Sequence, residues 1–157
     1  MIDKVELWIS QTNTDYKEER QSCAIFRDQF DGFYSLDILS TSYFVVTDDI
    51  PKPDFPELRQ AGFGSFIDMS VSGITYNDTY YVERKAAQEL RLHFHELVHV
   101  LQWRLLTPQG FINRYIREIQ SYGYDNAPLE RMAYTLDAHY LANGQPLNVE
   151  LFVREHL

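Results

Sequence analysis

Cysteine is all but missing from this chain. Of 157 residues only Cys23 is one, so no intrachain disulfide and no cysteine-based metal cluster can form, and the thiol is expected to be buried and inert. No stretch reaches the roughly 18–20 apolar residues needed to cross a bilayer, so a membrane is not an expected partner. The amino terminus, MIDKVELWIS, alternates charged with apolar residues and lacks the long apolar core of a secretory leader, which makes a cytoplasmic location the expectation. Positive charge is scarce as well. Residues 1–78 carry 14 acidic against 6 basic side chains, residues 79–157 carry 9 against 8, and the formal net charge is -9. An acidic front half repels phosphate backbones, so nucleic acid is not an expected partner either. Neither a fixed-period repeat nor a low-complexity tract is present.

Apolar material is plentiful: 45% of residues are hydrophobic and 15% aromatic, enough for a sizeable core in one domain spanning residues 1–157. KVELWIS has strand composition, and QSCAIFRDQF and DGFYSLDILSTSYFVVTDDI supply further β-branched and aromatic residues. DDIPKPDFPELRQAGFG places three prolines within six residues, with glycines soon after, marking a long connection with one helical turn at PELRQ. SGITYNDTYYV reads as two short extended pieces around a turn at Asn77-Asp78, or as one irregular strand. From Glu83 to about Leu106 nothing breaks a helix until Thr107-Pro108-Gln109-Gly110. FINRYIREIQ repeats its apolar residues at helical spacing, and Leu129 to Ala142 forms a third helix ended by Asn143-Gly144. The last segment, QPLNVELFVREHL, fits an edge strand or a short terminal helix.

The chemistry lies in RLHFHELVHVLQW. Side chains on a helix advance 100° per residue, so His95 and His99 stand about 40° apart, one turn above the other, where two neutral imidazoles can grip one divalent ion. Glu96 lies beside that face, at the position from which a carboxylate reaches a metal-bound water instead of the metal. With five histidines and 11 glutamates, His-Glu-x-x-His arises by accident in such a chain with a probability of about 0.01. The bland alternative is a buried helix that happens to carry imidazoles, each then needing its own hydrogen-bond partner. Zinc suits imidazole and carboxylate ligands in a tetrahedron with one open position; a two-histidine, one-carboxylate iron site competes but gives Glu96 no role. A third ligand is required, and Glu130 on the third helix is the candidate, with a surface salt bridge as its alternative role. Asp137, two turns further along, is placed either to ligate or to orient a histidine through its other nitrogen. Gln102 is within 20° of His95 on the helix and can act in the same supporting way. His93 and His139 point away from the ligand faces, and His156 is near the end; none is expected at the site.

HFHELVHVLQW followed by YGYDNAPLERMAYTLD resembles compact zincin-type metallopeptidases, gluzincin-like in arrangement, including small bacterial proteins that carry His-Glu-x-x-His-Val-x-Gln. The resemblance covers roughly residues 72–142. It implies that His95, His99 and Glu130 are zinc ligands and that Glu96 is the general base in hydrolysis of a peptide bond by metal-activated water, with a peptide or protein as substrate. It also implies a second donor to the reacting carbonyl, for which Tyr124 is the candidate and Tyr122 the substitute. Ala127, between Asn126 and Pro128, departs from the usual helix opening, and Gln102 and Arg104 stand where metzincins continue toward a third histidine. The implied architecture is α+β, zincin-like, with a small, mainly antiparallel sheet packed against a central metal-binding helix and supporting helices. An inactive or latent protein-binding module built on the same scaffold is the competing account of function.

Overall fold

The first departure comes at once: KVELWIS is not a strand. In the computed structural model, which describes all 157 residues, Ile2–Asp15 is a helix, α1. Val5, Ile9 and Thr12, spaced by four and three, form its buried stripe, and Leu7 is left 59% exposed. The charge–apolar alternation of these few residues fits either period; the stripe decides because a sheet face is not offered to both Leu7 and Ile9. QSCAIFRDQF likewise contributes only Gln21–Ser22, β1, before the chain turns through a 3₁₀ segment at Cys23–Phe26. Leu36–Ser40 is a short helix, α2, capped by the Ser35 hydroxyl accepting from the Ile38 amide, and Tyr43–Thr47 is β2.

The proline-rich connection carries the expected helical turn, α3 at Pro56–Leu58, then a π-helical turn at Arg59–Phe63 and α4 at Gly64–Asp68. Gly62 breaks this run with φ 94°, a left-handed conformation that a side chain would strain. A hairpin follows: β3 at Gly73–Tyr76 and β4 at Thr79–Glu83, turning at Asn77, which takes φ 60°. The strands stand in the order β1-β2-β4-β3. Both outer pairings are antiparallel, and the central one, β2 with β4, is parallel, so the sheet is small and mixed within an α+β fold.

Pairing of Glu83 with Thr47 holds the chain extended up to that residue. A 3₁₀ turn follows at Arg84–Ala86, and the metal-motif helix, α5, starts only at Leu90 and ends at Leu106 before Thr107 and Pro108. Thr107 then caps α6, Pro108–Tyr122, by accepting from the Gly110 amide. α7 runs Pro128–Leu141 and α8, the helical alternative for the last segment, runs Val149–His156. No helix is long and apolar enough to cross a membrane.

The alternation of side chains along the strands divides the apolar interior in two. Phe44, Tyr80 and Val82 face a core shared with Phe94, Leu97, Val98 and Leu101 of α5. Val45, Tyr76 and Tyr81 face the other way, toward α1, α6 and Trp103. α5 serves both: every residue from His93 to Trp103 is buried, so the helix lies inside the molecule, with α7 as its closest helical neighbour. Burial on all sides leaves any polar residue in that stretch dependent on partners inside the protein.

Candidate metal centre

His95 and His99 project from the side of α5 that meets α7, and Glu130 reaches them from the first turn of α7. Their ligand atoms lie within 4.8 Å of one another: His95 Nε2 is 3.2 Å from His99 Nε2 and 3.1 Å from Glu130 Oε1, and His99 Nε2 is 3.2 Å from Glu130 Oε2. All three residues are at most 5% exposed. Together they form a zincin-like metal-binding triad in the His-Glu-x-x-His-plus-Glu arrangement.

The helix start that places Glu130 is fixed from outside. Ala127 is the N-cap residue of α7 and has no side chain to offer, and Pro128 occupies the next position, where its missing N–H costs nothing. The Leu129 amide donates instead to Glu118 Oε1 at 2.7 Å, a carboxylate sent from α6 and held on its other oxygen by Arg114. A negative group at a helix N-terminus also meets the positive end of the helix dipole. Glu118 thus helps fix the start of α7, from whose first turn Glu130 reaches the two imidazoles.

Hydrogen bonding assigns the protons. Asp137 Oδ2 can only accept, so His95 Nδ1, 2.8 Å away, carries the hydrogen, while Arg91 Nε donates to the other oxygen of Asp137 at 2.7 Å. Gln102 donates its amide nitrogen to the Leu129 carbonyl at 3.1 Å, which leaves its oxygen to accept from His99 Nδ1 at 2.7 Å. When the rings are neutral, both Nε2 atoms turn bare lone pairs toward each other and toward a carboxylate. Such a group of acceptors is satisfied by a positive charge, a proton or a metal ion, placed among them. The separations of 3.1–3.2 Å compare with about 3.3 Å between neighbouring ligands of a tetrahedral zinc ion bound at 2.0–2.1 Å. The donor set and its spacing fit a divalent metal.

The same field draws protons. Burial opposes charge on His95, yet its hydrogen bonds to Asp137 and Glu130 and the charge of Glu96 lift its pKa from 6.5 to about 10. His99 is shifted upward as well, burial being outweighed by Glu130. The two carboxylates diverge. Burial would raise Glu130, but His99 and His95 hold it well below the usual carboxylate range. Glu96 moves up, chiefly by burial, which the two imidazoles only partly offset. The two buried carboxylates are thus shifted in opposite directions.

Glu96 is held in place from β3. Thr75 Oγ1 donates to Glu96 Oε1 at 2.9 Å, leaving Oε2, 3.8 Å from His95 Nε2, on the side of the triad. Gly73 lets the helix approach: a Cβ there would come within 3.2 Å of the Glu96 carboxyl carbon and 3.1 Å of Leu92. Tyr115 donates to Glu130 Oε2 at 2.8 Å, and Tyr134, 39% exposed, lays its ring 4.6 Å from that of His95. Tyr124 lines the cavity that Glu96, His99 and Glu130 also line. Burial, the charges of Glu130 and Glu96, and contact with the Tyr134 phenol push its pKa well above the ordinary value, so its hydroxyl stays a donor. Tyr122 is 58% exposed and is not among the cavity walls.

Asp137 takes the orienting role and Gln102 the supporting one, and three histidines stay outside. His93 is buried among Phe26, Phe44 and Tyr80; His139 bonds the Gln145 carbonyl; His156 is exposed at the end of α8. Thr75, Gly73, Tyr115, Glu118 and Tyr134 were not singled out by sequence. Thr75 and Glu96 are 21 residues apart and on different elements, and Tyr115 passes for one more apolar-face residue of α6. Comparison with known protein families, with curated proteins and with solved structures finds no match for this chain.

Proposed function

We propose that the chain is a zinc-dependent peptide-bond hydrolase with Glu96 as its general base. One observation carries the reading: two imidazole lone pairs and a carboxylate converge on a point beside a second, separately held carboxylate. His95, His99 and Glu130 would hold the metal, leaving one tetrahedral position open. A zinc ion bound there supplies acidification of water and polarisation of a carbonyl. Glu96 Oε2, free of the Thr75 hydrogen bond, takes the proton from the attacking water and returns it to the leaving amine. Its upward-shifted pKa suits both transfers. Tyr124 donates to the carbonyl oxygen as charge develops on it. The substrate is an extended peptide lying along β3, the edge strand whose only partner is β4, so that it runs past Thr75 and Gly73 toward the triad.

Glu96→Gln keeps the shape and removes the base. It is expected to retain stoichiometric zinc by elemental analysis and to lower peptidase turnover by ~10²–10⁴-fold. Unchanged turnover removes Glu96 from the reaction, and purified, metal-replete protein without a bound transition metal defeats the whole reading. A latent zincin-like binding module is the second reading, favoured by the burial of the triad and Glu96, each at most 5% exposed; full zinc content without turnover in the wild-type protein is its result.

A further inference from the structure

Left to itself, the carboxylate of Glu130 has two equivalent ways to serve the two imidazoles. Oε1 lies 3.1 Å from His95 Nε2 and Oε2 lies 3.2 Å from His99 Nε2, so either oxygen, or both, can turn to an ion held between the rings. α6 breaks that equivalence. The Tyr115 hydroxyl lies 2.8 Å from Oε2, and because an ionised carboxylate only accepts, the phenol donates. Oε1 meets no donor of this kind, its close polar neighbour being His95 Nε2. A hydrogen bond to a charged acceptor is a strong one, and it draws electron density from the oxygen that receives it, so Oε1 is left the better metal donor.

The phenol is not free to follow the carboxylate. Its ring stacks on Phe111 at 5.4 Å and 16°, Phe111 stacks on Trp103 at 4.1 Å and 18°, and Phe66 meets the Tyr115 ring edge-on at 6.1 Å. Trp103 stands one turn beyond His99 on α5. A column of three rings thus ties Tyr115 to the helix that carries both imidazoles, and one turn further along α6 Glu118 binds the start of the helix that carries Glu130. We infer that Tyr115 is a positioning residue that makes Glu130 a ligand through Oε1 alone, holding Oε2 off the ion and so keeping a coordination position open. This role rests on the metal triad and not on the hydrolase reading; it stands whether or not the protein turns over a peptide.

The test compares zinc-loaded crystals of the wild-type protein, of Tyr115→Phe and of Tyr124→Phe, the last removing a phenol that lines the same cavity but is not the one bonded to Glu130. In the wild type and in Tyr124→Phe, Oε1 is expected at the ~2.0–2.2 Å of a zinc–carboxylate bond, with Oε2 outside that distance. In Tyr115→Phe both oxygens are expected within bonding reach of the ion. In solution, the visible absorption of the cobalt(II)-substituted protein is expected to fall several-fold in Tyr115→Phe and to hold in Tyr124→Phe, as the extra oxygen takes the ion away from four-coordinate geometry. Two oxygens on the ion in the wild type, one oxygen in Tyr115→Phe, or the same change in Tyr124→Phe overturns the proposal. A wild-type protein that takes up neither metal removes the triad and this role together. One-oxygen ligation that depends on Tyr115, without any peptide turnover, supports the role and removes the hydrolase.

Discussion

Two residues apart on α5, His93 and His95 are equally deep in the molecule, at 0% and 5% exposed, yet they belong to opposite kinds of environment. On the His93 side every donor has an acceptor. Cys23 Sγ contacts the Tyr80 hydroxyl at 3.5 Å, that hydroxyl donates to His93 Nδ1 at 2.7 Å, and His93 Nε2 donates to the Ala87 carbonyl at 2.8 Å. All the groups are neutral, and burial lowers the His93 pKa, only partly offset by the Ala87 carbonyl. On the His95 side acceptors outnumber donors: two lone pairs, Glu130 and Glu96 point at shared space, and the pKa of His95 goes up. A buried histidine is structural when its hydrogen bonds close and metal-binding when they leave a surplus of lone pairs.

That contrast can be broken most forcefully on the His95 side. Asp137→Ala removes the acceptor that fixes the His95 tautomer and is expected to weaken zinc affinity by ~10–100-fold, measured by competition with a chelator. Unchanged affinity makes the Asp137 contact incidental to metal binding. On the other side His93→Phe leaves the Tyr80 hydroxyl and the Ala87 carbonyl without their partner. The expected cost is about 1–3 kcal/mol of stability by urea unfolding, with zinc content unchanged; loss of zinc from this variant would erase the distinction between the two faces. The smallest effect sharpens the neutral side. Burial pushes the Cys23 thiol from 9.0 up to about 12, against the lesser pull of Tyr80 and Arg104. The folded state keeps a proton that the unfolded chain releases, so this contribution is fully present below pH 9 and is lost as pH rises toward 12. Cys23→Ala is expected to flatten the fall in unfolding midpoint between pH 9 and 11, the remainder coming from Tyr34 and Tyr80, which burial also raises. An unchanged slope means the thiol is not the group that titrates.

Legibility followed the range of the interaction. The histidine pair, its glutamate, the breaks at Thr107-Pro108 and Asn143-Gly144, and the Asn77 turn depend on neighbours within one or two turns, and the residues themselves carry the information. KVELWIS failed because seven residues of mixed charge and apolarity satisfy two periods, and only the arrival of α6 and the sheet selects one. The start of α5 differs for a related reason at Glu83, which the ladder between β4 and β2, 36 positions away, holds extended; a 3₁₀ turn at Arg84–Ala86 then precedes the helix.

The sequence by itself determined that one helix would present two stacked imidazoles with a carboxylate beside them, since helical geometry needs nothing beyond the chain to do so. Tertiary structure alone decided that Glu118 would register α7 so that Glu130 completes the triad, that Thr75 would hold one oxygen of Glu96, and that an apolar cavity would open beside them. These depend on contacts between elements 11 to 21 residues apart or more, where packing and loop closure, not local propensity, set the distances.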